Sequence, residues 1–248
     1  MSKRFNVWLL ILVAVLVSRF IGMALFPFAD TTESRYAEIA RLMAETGDWI
    51  TPWFEPGVPF WGKPPLSFWT QAAAIKVFGV SEFSLRFPAW LATVAMVWLV
   101  WRLARQIWSV QVAQWSCLVF ATMALTYISA GAVMTDAFLA LGTTLTLVSF
   151  CLVMAGEGGL WRWIFFLGMV IGLLSKGPLA IVLIGIPIVL WLCLSWREAA
   201  NNLQRLPWWR GILMTAALVC PALMAMPPNQ GPIALARENM IRTTFRRE

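Results

Sequence analysis

Apolar residues recur in this sequence in seven long runs, at about 7–26, 85–101, 110–130, 137–155, 160–174, 177–196 and 211–226. About 20 apolar residues match the hydrocarbon thickness of a bilayer, with about 17–25 as the working range, so the run at 160–174 is the shortest candidate. A water-soluble fold would have to hide every run in one core. It could not, because only 12% of the 248 residues are charged, against about 25% in a soluble domain. The chain reads as an all-α polytopic membrane protein with about seven spans.

The first run follows Met1-Ser2-Lys3-Arg4 and carries no convincing A-x-A cleavage site, so it reads as an uncleaved anchor. Arg19 within it has two readings, snorkelling to an interface or facing the bundle. Charge sets the orientation. With the N-terminus inside, the inner pieces carry Lys3, Arg4, Arg102, Arg105, Arg162, Arg197, Arg205 and Arg210. The outer side takes a loop over 27–84 with seven acidic and four basic residues, the turns near Asp136 and Lys176, and a polar tail over 227–248. This matches the positive-inside rule, apart from the arginines of the tail. The net charge of +7 is therefore assigned to inner loops, not to nucleic-acid binding.

The outer loop has its own helical pattern. Asp30-x-x-Glu33 opens one helix that ends at Gly47, with Tyr36, Ile39, Ala40 and Met43 on one face. A second starts at Pro64-Pro65 and ends before Gly79. The second is too short to span and is expected at the interface or against the bundle, and Trp49, Trp53, Trp61 and Trp69 suit an interfacial aromatic belt.

The chain has no His, which excludes Ser-His-Asp and Cys-His catalysis and any His-ligated metal. Cys117, Cys151, Cys193 and Cys220 all lie in apolar runs and read as buried, inert thiols. The informative residues are the few charges near the outer face: Asp30, Glu33, Lys63, Asp136 and Lys176. Carboxylates that accept a proton beside lysines that stabilise a phosphate suit a negatively charged, membrane-embedded substrate. Each also has a plain structural reading. Asp30 and Glu33 have capping-box spacing, Asp136 can begin a helix, Lys176 can snorkel at a helix end, and Lys63 can be solvated in its loop.

Five stretches carry a family resemblance. These are E-S-R-Y-A-E-I-A-R-L-M-A-E-T-G-D-W-I-T-P (Glu33 to Pro52), W-G-K-P-P-L-S-F-W (Trp61 to Trp69), F-G-V-S-E-F-S-L-R-F-P (Phe78 to Pro88), A-G-A-V-M-T-D (Ala130 to Asp136) and L-L-S-K-G-P-L (Leu173 to Leu179). In this order they resemble bacterial C-type membrane glycosyltransferases, the aminoarabinose transferases and protein O-mannosyltransferase-like enzymes. The resemblance implies a helical bundle in the bacterial inner membrane with two periplasmic interfacial helices. It implies sugar transfer from a polyprenyl-phosphate donor to a lipid, glycan or protein acceptor at the periplasmic face. It makes Asp30, Glu33 and Asp136 candidate catalytic residues and Lys63, Lys176 and Arg35 candidate phosphate contacts.

The chain departs from the family in two places. Thr32 stands where Asp is usual, and Gly62 where many members have a Glu, which in some holds a metal; with no His either, this argues against a bound metal ion. Family members are longer, so the single module of 1–248 reads as an N-terminal half. The rival reading is a non-catalytic membrane protein, either a lipid-carrier transporter or an inactive partner subunit. Pro187 and Gly185 interrupt one run, but no acidic residue sits mid-span as a transporter would require.

Overall fold

The computed structural model describes residues 2–28, 30–55, 57–195 and 203–224. The expected tail over 227–248 and Arg197 lie outside the described residues. The described elements are α1 (Ser2–Leu25), α2 (Thr31–Thr46), β1 (Trp53–Glu55), β2 (Val58–Pro59), α3 (Leu66–Phe78), α4 (Glu82–Ile107), α5 (Val110–Thr122), α6 (Ala124–Ser129), α7 (Asp136–Met154), α8 (Leu160–Lys176), α9 (Leu179–Leu194) and α10 (Trp208–Met224).

Within the described residues, each apolar run is mostly helical. Among the described residues, three helices are long and apolar enough to cross a membrane: Val7–Leu25 of α1, then α4 and α7. The others have 13 to 17 residues apart from the six-residue α6. Large apolar side chains point outward along the bundle, among them Leu10, Trp115 and Leu190, each more than half exposed. In water this surface would drive aggregation, whereas against lipid tails it costs nothing. Cys193 and Cys220 belong to this outward surface, so only Cys117 of the four thiols is fully buried.

The run at 110–130 does not form one helix. It breaks at Met123, whose ψ of 131° leaves the helical region. Thr122 Oγ1 bonds back to the Leu118 carbonyl at 2.7 Å, a contact that bends helices. Beyond the break, α6 turns Tyr127 toward α1, where its hydroxyl lies 3.1 Å from Ser18 Oγ. Pro187, by contrast, is carried inside a continuous α9.

The loop helices form as expected. Asp30 caps α2, and Gly47 ends it in the left-handed region at φ 73° with its N–H on the Met43 carbonyl. The apolar face of α2 (Tyr36, Ile39, Ala40, Met43) packs on Phe68, Ala72 and Ile75 of α3, and with Leu85 and Val133 makes one core. A short antiparallel hairpin of β1 and β2 joins α2 to α3. Asp48 organises its approach, accepting from the Ile50 and Thr51 N–H groups at 3.0 Å and from Trp53 Nε1 at 2.9 Å. At the far end of the bundle, Arg102 pairs with Glu157, and Arg205 donates to the Met154 carbonyl at 3.1 Å, so this basic end is held together by its own contacts.

Candidate functional site

The site begins with a seam of small residues. A Cβ on Gly142 would lie 2.4 Å from the Gly172 nitrogen and 2.8 Å from the Gly168 carbonyl oxygen. Only glycine allows α7 and α8 this close, and Thr146 Oγ1 folds back onto the Gly142 carbonyl at 2.8 Å. The antiparallel pair sets the first residue of α7 beside the last residue of α8. Lys176 Nζ donates to Asp136 Oδ1 at 2.6 Å. The Asp136 side chain is 54% exposed and that of Lys176 only 20%, so the carboxylate is the accessible half of the pair.

Asp30 and Glu33 form only half of a capping box. Asp30 Oδ1 accepts from the Thr32 N–H at 2.9 Å, and this bond holds its carboxyl below the ordinary aspartate range. Glu33 turns inward instead. Its Oε1 accepts from the Val133 N–H at 2.9 Å, and its Oε2 lies 3.3 Å from Arg86 Nη2. Glu33 is thus a buried carboxylate tied to the chain three residues before Asp136.

Arg86 was not among the residues expected at the site, although it lies within the quoted S-L-R-F-P stretch. It is buried and donates to the carbonyls of Phe26 at 2.6 Å, Pro27 at 3.1 Å and Met23 at 3.3 Å as well as to Glu33. Carbonyls at a helix C-terminus have no partner within the helix. Arg86 therefore closes the end of α1 and grips α2 with the same guanidinium. The sequence signal was available: an ionisable residue set in an apolar run.

Lys63 lies in the half-buried segment between β2 and α3. Leu66 and Trp69, just after it, pack near Leu173 and Leu174 at the end of α8, which brings the Lys63 segment to the Lys176 end of the bundle. Among the described residues Lys63 has no hydrogen bond or ion pair. Arg35 is exposed, with its guanidinium 5.8 Å from the Phe54 ring centre. The structure thus joins Glu33, Asp136 and Lys176, sets the Lys63 loop alongside, and leaves Asp30 and Arg35 on the exposed side of α2. Tyr36 faces the same region. Burial pushes its phenol up, and the Asp136 charge acts in the same direction against Arg35. Among the described residues, no three of His, Cys, Asp or Glu come together as metal ligands.

An apolar groove of about 460 Å³ runs between α3, α4 and α7, lined by Ala74, Phe87, Leu91, Phe138 and Leu141 among others. Phe138 is two residues from Asp136, so the groove begins beside the charged end.

Comparison with known proteins agrees with this architecture. The chain is 32% identical over 206 residues to the undecaprenyl phosphate-alpha-4-amino-4-deoxy-L-arabinose arabinosyl transferase of Pseudomonas aeruginosa (strain UCBPP-PA14), covering 80% of this chain and 37% of that protein. It is 26% identical over 188 residues to the corresponding transferase 1 of Proteus mirabilis (strain HI4320), covering 74% and 34%. The matches span about a third of the length of these curated relatives. The crystal structure of ArnT from Cupriavidus metallidurans bound to undecaprenyl phosphate superposes with a TM-score of 0.82 at 21% identity, over 90% of this chain and 41% of that one. The apo form of the same protein gives 0.75 at 22% identity, over 90% and 42%. A family model described as dolichyl-phosphate-mannose-protein mannosyltransferase matches residues 62–224, which is more than half of the sequence, and the chain belongs to that family.

Proposed function

We propose that this chain carries the reaction site of a membrane glycosyltransferase, which moves a sugar from a polyprenyl-phosphate donor to an oxygen of a lipid, glycan or protein acceptor. The observation that carries the reading is the Asp136–Lys176 pair, with its carboxylate half exposed, at one end of an apolar bundle. A phosphate-linked sugar already has a good leaving group. The protein must hold the phosphate, orient the acceptor and take one proton.

Asp136 is the carboxylate placed to take that proton. The acceptor oxygen attacks the anomeric carbon as the bond from that carbon to the phosphate oxygen breaks. The bonding electrons leave with polyprenyl phosphate, and the sugar inverts. An ammonium has three donors, so Lys176 can keep its bond to Asp136 and still donate to the departing phosphate. Lys63 is the second phosphate contact. The apolar groove offers the carrier chain a path along α4 and α7, and the printed names of the curated relatives, arabinosyl transferases of an undecaprenyl-phosphate sugar, support the donor class. The buried Glu33 acts through the backbone, not on the substrate.

The site faces the periplasm of the bacterial inner membrane with the N-terminus in the cytoplasm, because Arg102, Arg105 and Arg205 gather at the opposite end. The test is transfer of labelled sugar from polyprenyl-phosphate donors to envelope lipids, glycans and proteins by membranes containing the chain. Asp136→Asn keeps the shape and loses the charge. Its specific activity per folded protein is expected to fall about 10²–10⁴-fold, the range for a positioned acid–base group. Lys63→Met is expected to raise the donor KM. Membranes with no transfer above the vector control, or an Asp136→Asn variant with full activity, overturn the reading.

A further inference from the structure

Between the end of α6 and the start of α7 the chain has no regular secondary structure, yet it is buried. Ala130, Val133 and Thr135 are each at most 3% exposed, and Ala132 is 7%. Backbone N–H and C=O groups in such a segment lack the ladder of a helix or sheet and must find partners in the protein. Within the segment, the Gly131 N–H bonds to the Ile128 carbonyl at 3.2 Å and the Ala132 N–H to the Ser129 carbonyl at 3.3 Å. Side chains from other helices hold both ends. On the α6 side, Arg19 of α1 donates from Nη2 to the Ile128 carbonyl at 2.8 Å, with its guanidinium 5.4 Å from the Tyr127 ring centre. On the α7 side, the Val133 N–H donates to Glu33, which faces Arg86.

Gly131 is part of the same contact. A Cβ there would lie 2.3 Å from Arg19 Nε, so the guanidinium rests directly on this glycine. Two arginines, from α1 and α4, thus converge on the segment that leads into Asp136, one directly and one through a carboxylate.

We propose that Arg19 and the Glu33–Arg86 pair are positioning residues that bracket the 128–135 segment and thereby set where the Asp136 carboxylate meets Lys176. The consequence for chemistry rests on the reading of Asp136 given above. The bracket itself does not. Arg19 therefore faces the bundle, and its role is to order the backbone. Gly131 is required because any side chain would displace the guanidinium, so Gly131→Ala is expected to mimic loss of Arg19. A displacement of about 1 Å at a reacting group can cost on the order of 10²-fold in rate, while ground-state contacts elsewhere stay intact.

The test uses the full chain in proteoliposomes with the four native cysteines replaced by alanine. A nitroxide at Met134→Cys reports on the segment, and one at Gln111→Cys on α5 serves as the control. Arg19→Met, Gly131→Ala and Glu33→Gln are each expected to raise mobility at 134 and leave 111 unchanged. The Arg19→Met/Gly131→Ala double variant should be no more mobile than either single one. Unchanged mobility at 134 overturns the bracket whatever the enzyme does.

The same variants without labels are assayed for transfer. The expected result is a kcat lower by about 10–10²-fold with donor KM unchanged, and partial recovery of kcat in Arg19→Lys, which retains a donor. Mobile variants with full kcat, in a protein that Asp136→Asn inactivates, overturn the link to catalysis alone. Full activity of Asp136→Asn overturns the functional reading and leaves the mobility result to decide the bracket.

Discussion

Arg86 shows how much one side chain can decide in a bundle with few charges. Its guanidinium satisfies three carbonyls at the end of α1 and faces Glu33, the one buried carboxylate among the described residues. Removing one partner of a buried pair leaves the other charged and unpaired, which costs about 3–5 kcal/mol. Arg86→Met is therefore expected to lower the melting temperature sharply, whereas Arg41→Met, which removes the surface pairs with Glu38 and Glu45 on α2, changes it little; thermal unfolding in detergent separates the two. Asp30 makes a weaker, pH-dependent contribution. Its folded-state carboxyl lies below its unfolded value of 3.8, so its stabilisation is present above that value and disappears as pH falls through the depressed one. Asp30→Asn should lower the melting temperature at pH 7, and the difference from the unmodified protein should shrink in acid. Glu33 had the same capping-box spacing, and nothing local distinguishes a cap from a buried ion pair. The choice depends on Arg86, 53 residues away.

Among the elements, α7 and α8 make the tightest contact, and their glycines explain why Asp136 and Lys176 meet. Gly142→Ala would place a methyl group against the backbone of α8, not against a side chain that can move aside. Overpacking of this kind costs about 1–3 kcal/mol, and here it also pries apart the ends that carry the ion pair. Gly142→Ala is expected to lower both melting temperature and transfer activity. Gly185→Ala, where nothing lies within 4 Å, should do neither. Another dense contact is between α2 and α3. Phe68, fully buried between Tyr36 and Phe60, should cost about 3–5 kcal/mol when cut to alanine, measured by the same unfolding assay. The apolar face of α2 is readable from periodicity, and α3 from its Pro64-Pro65 start and Gly79 end. The β1–β2 hairpin between them is not, because it is two short strands organised by Asp48 and by the loop, with no alternating pattern of their own.

For the molecule as a whole, the charge distribution predicts a sidedness that labelling can read. Glu45 at the end of α2 and Gln204 near Arg205 are both exposed and lie at the two ends of the bundle. With the native cysteines replaced, an impermeant maleimide added to intact cells should label Glu45→Cys and leave Gln204→Cys unmodified until the membrane is permeabilised. Labelling in the reverse pattern would invert the proposed topology and remove the site from the periplasm. The outward apolar surface of α9 and α1 likewise predicts that the chain leaves the membrane only with detergent, not with salt or alkali.

Membrane residence, the helical class, the two loop helices and the charged residues that make up the candidate site, apart from Arg86, are legible in the sequence alone. Apolar runs and 3.6-residue periodicity are local properties, and so are helix caps at Asp30 and Gly47. The inward turn of Glu33, the grip of Arg86 on α1 and the placement of Arg19 on Gly131 belong to the tertiary structure. Each joins residues far apart in the chain, and each depends on which buried backbone group needs a partner once the helices have packed. A sequence states which groups are charged; only the packed bundle decides which of them are left facing the site and which are used up holding it in place.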